Sequence, residues 1–117
     1  MGQAVALNVN ANRAMFANCS FIGNQDTLYT SGEGTKNYFK DCYVEGTTDF
    51  IFGDATALFE NCEIHSKTDS YVTAASTPKD TIYGYVFKNC KLTANENVAK
   101  SYLGRPWRPY AKTVFIN

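Results

Sequence analysis

Apolar residues in this chain of 117 come in short runs, none longer than four (Ala4 to Leu7, Ala14 to Ala17). The runs are rich in Phe, Tyr, Val, Ile and Thr and are broken by Gly, Asn and Asp. That pattern predicts short strands joined by turns. Runs of this length are far below the roughly 20 residues that a helix needs to cross a bilayer.

One formula recurs along the chain: Phe, any residue, Asn or Asp, Cys, a polar residue or Tyr, then an apolar residue. Its copies are Phe16-Ala17-Asn18-Cys19-Ser20-Phe21, Phe39-Lys40-Asp41-Cys42-Tyr43-Val44, Phe59-Glu60-Asn61-Cys62-Glu63-Ile64 and Phe87-Lys88-Asn89-Cys90-Lys91-Leu92. They step by 23, 20 and 28 residues, a spacing typical of repeat architectures. No copy holds apolar positions at helical period over about ten residues, and the leucine ladder of leucine-rich repeats is missing. The expected fold is therefore all-β, a right-handed parallel β-helix with one coil per repeat and about five coils. Like positions then stack from coil to coil. Phe16, Phe39, Phe59 and Phe87 form one interior column. Cys19, Cys42, Cys62 and Cys90 form a second, and Phe21, Val44, Ile64 and Leu92 a third. Asn18, Asp41, Asn61 and Asn89 fall at the corner between the first two columns, where Asn and Asp tolerate left-handed backbone.

Composition narrows the partners. Eleven Lys and Arg balance eleven Asp and Glu, for a formal net charge of 0. The basic excess that neutralises phosphates is absent, so no nucleic acid is expected, and no membrane partner either. With 44% hydrophobic and 19% charged residues the chain is not of the disordered type. Its first residues show no basic segment followed by an apolar one, the pattern of a secretory leader. The four cysteines include no Cys-x-x-Cys pair, and His65 is the one histidine, which argues against a zinc site. The cysteines read better as small core residues than as disulfides, although stacked neighbours lie within bridging range.

The same register locates candidate chemistry. Seven residues after the successive cysteines stand Asp26, Asp49, Asp69 and Asn97, and Gln3 lies 22 residues before Gln25. The count superimposes Asp26 on Asp49 and Gln3 on Gln25. Adjacent strands are about 4.8 Å apart. Two carboxylates at that separation repel by about 3.5 kcal/mol at an effective dielectric near 20. Their ionisations are thereby separated by about 2.5 pH units. One acid stays charged near neutral pH while the other tends to keep its proton, which is a nucleophile beside a general acid. Two glutamine amides offer donors for an oxyanion, and the set suits attack on an ester carbonyl without a metal. Plainer readings exist for each group. Stacked Asp residues cap turns, as Asp69 in the next coil can, and surface glutamines are ordinarily just solvated. Arg105, in a Leu-Gly-Arg-Pro-Trp turn, either pairs with a carboxylate or coats the surface. His65 has the opposite parity to the inward Ile64, so it is expected on the outer face with no catalytic part.

Several segments resemble, in order, the motifs of the pectin methylesterases (pectinesterases): Gly2-Gln3-Ala4-Val5-Ala6-Leu7, Gly23-Asn24-Gln25-Asp26-Thr27-Leu28-Tyr29, Asp49-Phe50-Ile51-Phe52-Gly53 and Leu103-Gly104-Arg105-Pro106-Trp107. Tyr71 to Thr77 is similar to a further family segment. The resemblance covers nearly the whole chain and implies the same β-helix. It implies that Asp49 is the nucleophile toward the methyl ester of a galacturonate unit. Asp26 would protonate departing methanol and then act as base on the hydrolytic water. Gln3 and Gln25 would form the oxyanion hole, and Arg105 would orient Asp49 and keep it charged. Tyr29, Phe52 and Trp107 would line the sugar cleft, since flat aromatic faces suit pyranose rings. The implied substrate is methylated polygalacturonate (pectin), with no cofactor and no metal. The full-length enzyme would be a monomer, secreted to an extracellular or periplasmic place.

Three details resist that reading. Strict alternation from an outward Asp49 would turn Phe52 inward, so a bend must follow the aspartate. The stretch from Thr30 to Asn37 looks longer than in plant members, and Asn8 stands where many members have a basic residue. Two other functions stay open. One is a β-helix polygalacturonase or lyase-like enzyme, since carboxylates about 5 Å apart also suit a retaining glycosidase. The other is a non-catalytic carbohydrate-binding coil. About five coils are few for this family. Residues 1–117 are thus expected to be part of a single catalytic β-helix domain, truncated at both ends. Open ends expose apolar columns and unpaired edges, so the isolated piece is expected to be weakly stable and poorly active.

Overall fold

The corners come first, because they define the coil. In a computed structural model, which describes residues 5–32, 34–79, 81 and 83–116, Asn18, Asp41, Asn61 and Asn89 have φ of 58°, 55°, 54° and 54°. These are the four left-handed corners expected from the repeated formula, each placed between two strands.

The first coil holds β1 (Leu7–Val9), β2 (Ala14–Ala17) and β3 (Ser20–Phe21), and the second β4 (Leu28–Thr30), β5 (Lys36–Lys40) and β6 (Tyr43–Gly46). The third holds β7 (Ile51–Gly53), β8 (Thr56–Glu60) and β9 (Glu63–Ser66), and the fourth β10 (Ser70–Ala75), β11 (Tyr85–Lys88) and β12 (Lys91–Ala94). In the fifth are β13 (Ser101–Pro106) and β14 (Thr113–Ile116). Each of the first four coils contributes one strand to each of three sheets and the fifth contributes to two, in the orders β1-β4-β7-β10-β13, β2-β5-β8-β11-β14 and β3-β6-β9-β12. The fold is a right-handed parallel β-helix.

The interior follows the predicted columns. Phe16, Phe39, Phe59, Phe87 and Phe115 are paired rung by rung. Their rings stack at centroid spacings of 5.1, 4.6, 4.6 and 4.4 Å, all within 12° of parallel. The sheet spacing of about 4.8 Å sets this distance, so every inner ring offers a face to the coils on both sides. Phe115 lengthens the column by one rung. The cysteines are free thiols. Cys42, Cys62 and Cys90 point Sγ at the carbonyls of Phe16, Phe39 and Phe59 one coil back, at 3.6, 3.4 and 3.3 Å. A small polarisable side chain fits a corner where a larger one would overfill the core. Phe21, Val44 and Ile64 form the buried third column; Leu92 pairs with Ile64 in register but is 47% exposed, because β12 is the end strand of its sheet.

Candidate active site

Asp26 and Asp49 stand two residues before β4 and β7, on the edge leading into the sheet β1-β4-β7-β10-β13. Both are left-handed, with φ of 60° and 50°. This second corner supplies the bend that Phe52 requires. After Asp49, Phe50 and Ile51 are both fully buried, as Thr27 and Leu28 are after Asp26. Two consecutive inward residues shift the alternation by one, and Phe52 emerges on the outer face. Leu28 pairs with Ile51, which sets Asp26 in line with Asp49 as the count from the cysteines predicts. For Asp69 the count fails. Thr73 pairs with Ile51 but lies 11 residues after Cys62, whereas Ile51 lies 9 after Cys42. Tyr71 therefore continues the column, and its carbonyl accepts the Asp49 N–H at 2.8 Å. Asp69 instead accepts the Ala99 N–H at 2.7 Å, a turn-capping bond.

Arg105 lies on β13, at the end of an outer column of Asn8, Tyr29, Phe52 and Ala74. Its guanidinium reaches back past the small Ala74 to Asp49. Nε donates to Oδ1 at 3.0 Å and Nη2 to Oδ2 at 2.5 Å, a two-pronged fork on one carboxylate. The guanidinium also lies 4.9 Å from the Tyr71 ring centroid, and Tyr71 stacks on Tyr102. Hydrogen bonding to Asp49 and its negative charge push the Arg105 pKa up. Gly104 is what lets β13 lie this close. A Cβ there would stand 2.2 Å from Thr73 Oγ1, which donates to the Leu103 carbonyl at 2.9 Å.

The two acids are not equivalent. Burial, and then the negative charge of Asp49, raise the Asp26 pKa above its ordinary 3.8. Asp49 takes the guanidinium fork, whereas the Asp26 carboxyl holds its proton above the usual range. Both line a cleft of about 400 Å³ with Gln25, Phe52, Arg105 and Trp107. Along the outer face the Tyr29 and Phe52 rings stack at 4.6 Å and 5°, and Trp107 follows 5.9 Å from Phe52. Seven of the eight site residues singled out in the sequence thus meet in one place. The eighth, Gln3, lies outside the described residues. His65 sits on a different sheet, where its ring nitrogens contact Thr93 Oγ1 and Asn95 Oδ1 at 2.7 and 2.6 Å.

The family model described as Pectinesterase matches residues 1–117. The chain belongs to the pectinesterase family. It is 50% identical over 114 residues to Pectinesterase 31 of Arabidopsis thaliana, covering 97% of this chain and 35% of that protein. The pectin methylesterase from Yersinia enterocolitica superposes with a TM-score of 0.91 at 37% identity, over 98% of this chain and 43% of that one. A pectin methylesterase solved in complex with a hexasaccharide superposes with a TM-score of 0.88 at 38% identity, over 97% of this chain and 41% of that one. The chain therefore spans from about a fifth to about a third of the length of the curated relatives it matches, 35% of this Arabidopsis protein.

Three parts of this site were not singled out in the sequence as parts of it. Tyr71 is a platform under Arg105, and Ala74 leaves the arginine its path. Lys67 fastens the turn that delivers Gln25 and Asp26. Its Nζ donates to Asn24 Oδ1 at 2.8 Å and to the Gly23 carbonyl at 3.2 Å, and pairs with Glu45 at 3.3 Å. No spacing rule signals that contact, because Lys67 reaches back across the coils instead of occupying the equivalent position. Among the described residues, no group of three or more His, Cys, Asp or Glu is arranged to hold a metal ion.

Proposed function

We propose that this cleft hydrolyses galacturonate methyl esters in pectin and releases methanol. The reading is carried by one observation: a guanidinium-held Asp49 beside an Asp26 of raised pKa, in a cleft floored by aromatic rings. Asp49 Oδ attacks the ester carbonyl carbon, and the π electrons move onto the carbonyl oxygen. Amide donors of Gln25 and, by the family resemblance, Gln3 stabilise that oxyanion. Its collapse breaks the bond to the methoxy oxygen, which leaves as methanol with the proton of Asp26. Asp49 now carries the acyl group as an anhydride. Asp26, ionised, takes a proton from water as the water oxygen attacks the acyl carbon, and collapse frees the Asp49 carboxylate and a galacturonic acid carboxyl, which loses its proton to solvent. The fork from Arg105 fixes the attacking oxygen, and Tyr29, Phe52 and Trp107 offer flat faces to the sugar rings.

The full-length protein is read as a monomer. Pectin is a polymer outside cells, which makes the protein a secreted one, extracellular or periplasmic. Residues 1–117 are read as part of a single catalytic domain, which fits their span of 35% of the Arabidopsis relative. The test is methanol release from pectin by the intact protein and by its Asp49→Ala variant. The variant is expected to bind pectin and release no methanol. Release close to wild type, or new chain ends in place of methanol, would overturn the assignment.

A further inference from the structure

Arg105 orients the Asp49 carboxylate through two bonds, but among the described residues no such fork holds the Asp26 carboxyl. Its place in the cleft is set by the turn that carries it, and so is that of Gln25. The backbone of this turn is tied to the second coil. The Asn24 carbonyl accepts the Thr47 N–H at 3.0 Å, and the Asp26 N–H donates to the Thr48 carbonyl at 3.2 Å. The Thr27 hydroxyl lies 2.8 Å from the Glu45 carbonyl and 3.0 Å from that of Asn24.

A side chain from the third coil adds the ionic hold. An ammonium has three N–H donors, and Lys67 Nζ has three acceptors: Asn24 Oδ1 at 2.8 Å, the Gly23 carbonyl at 3.2 Å and Glu45 Oε2 at 3.3 Å. Glu45 is itself fixed, because its Oε1 accepts the Tyr43 hydroxyl at 3.0 Å and the Tyr43 ring stacks on His65. The Lys67 N–H donates to the Gly46 carbonyl at 2.9 Å, which anchors the base of the side chain. Gly46 lets the layers close up, since a Cβ there would stand 2.6 Å from the Asn24 carbonyl oxygen. A carboxylate on β6 thus braces an ammonium placed just after β9, and the ammonium grips the turn from behind. Neither Lys67 nor Glu45 lines the acid-pair cleft.

We propose that Lys67, braced by Glu45, is a positioning residue: it fixes the turn 23–26 so that Gln25 and Asp26 meet the ester presented to Asp49, and it touches no substrate. The inference rests on the pectin esterase reading given above. Its effect falls on the transition state, since a shifted turn misaims the proton of Asp26 and the amide of Gln25 while the sugar contacts stay. Misplacement by about 1 Å can cost about a hundredfold in rate. A turn that keeps its backbone bonds moves less, so loss of the ammonium is expected to cost about tenfold.

The experiment compares the intact wild-type protein with Lys67→Met, Lys67→Arg and Glu45→Gln. Steady-state methanol release from pectin is measured, and amide hydrogen exchange across residues 23–28 is followed without substrate. In Lys67→Met, kcat and kcat/KM are expected to fall together about tenfold, with KM within about twofold, and exchange in the turn to quicken. Lys67→Arg, which restores charge and donors, is expected to return kcat to within about threefold of wild type, and Glu45→Gln to lose about threefold. A folded Lys67→Met with kcat within about twofold of wild type, or with its loss confined to KM, would refute the proposal. So would a Lys67→Arg variant as slow as Lys67→Met. Early melting of Lys67→Met transfers the comparison to Asn24→Ala, which removes one acceptor and leaves the ion pair with Glu45; about a fivefold loss in kcat is expected, and a loss under about twofold refutes. Quickened exchange in the variant, without methanol release by either protein, would uphold the hold on the turn and remove the esterase reading. Methanol release that the variant keeps, with exchange unchanged, would do the reverse.

Discussion

Replacing Arg105 by Lys isolates what the guanidinium fork contributes. The arginine makes two charge-assisted bonds to Asp49, at 3.0 and 2.5 Å, and lies against the Tyr71 ring. Bonds to charged groups are worth about 1.5–3 kcal/mol each when sheltered. Here the Arg105 side chain is 49% exposed and that of Asp49 only 13%, so solvent screening brings each bond to about 1–1.5 kcal/mol. Lysine keeps a charge but has no fork, which forfeits one bond, and its ammonium cannot lie flat on Tyr71, at about 0.5–1 kcal/mol. The sum is about 2 kcal/mol, or roughly 30-fold in rate if the fork acts on the nucleophile at the transition state. Arg105→Met loses both bonds and leaves a sheltered carboxylate unpaired, about 3 kcal/mol or roughly 150-fold. Steady-state methanol release should place both losses in kcat, since neither bond is made to substrate. A Lys variant within threefold of wild type, or a loss wholly in KM, would refute the argument.

Two further outcomes follow from the fold and from the acid pair. Phe59 is stacked on both faces, by Phe39 and Phe87, so Phe59→Ala should cost about 3–5 kcal/mol in denaturant unfolding; a loss under about 1 kcal/mol would mean that the column is not the core. For Asp26 the folded pKa lies above its ordinary 3.8, so the folded state holds that proton more tightly than the unfolded chain. Its contribution to stability is thus fully present at the acid end and is lost as pH rises from that ordinary value through the raised one. Asp26→Asn should remove this decline, and the difference in unfolding free energy between variant and wild type, followed upward from about pH 3.5, should grow in favour of the variant. A difference independent of pH would contradict the shift.

Much of the site was legible because a solenoid turns sequence separation into spatial adjacency. Where two coils keep the same number of residues between corner and strand, as from Cys19 to Asp26 and from Cys42 to Asp49, counting is enough to juxtapose the acids. Where the turn lengthens, counting errs, and Asp69 drops out of the column in favour of Tyr71. The outward turn of Phe52 could be demanded by the sequence but not located, because alternation holds only for extended backbone. The left-handed φ of Asp49 is what breaks it.

The sequence alone determined the repeat, its inward columns, its Asn and Asp corners and the adjacency of Asp26 and Asp49, since each depends on positions that recur along one chain. Tertiary structure alone decided that the Arg105 fork reaches Asp49 past Ala74 and over the Tyr71 ring, and that Lys67 fastens the turn of Gln25 and Asp26. Those outcomes depend on side-chain reach and burial between coils, quantities with no period in the sequence to reveal them.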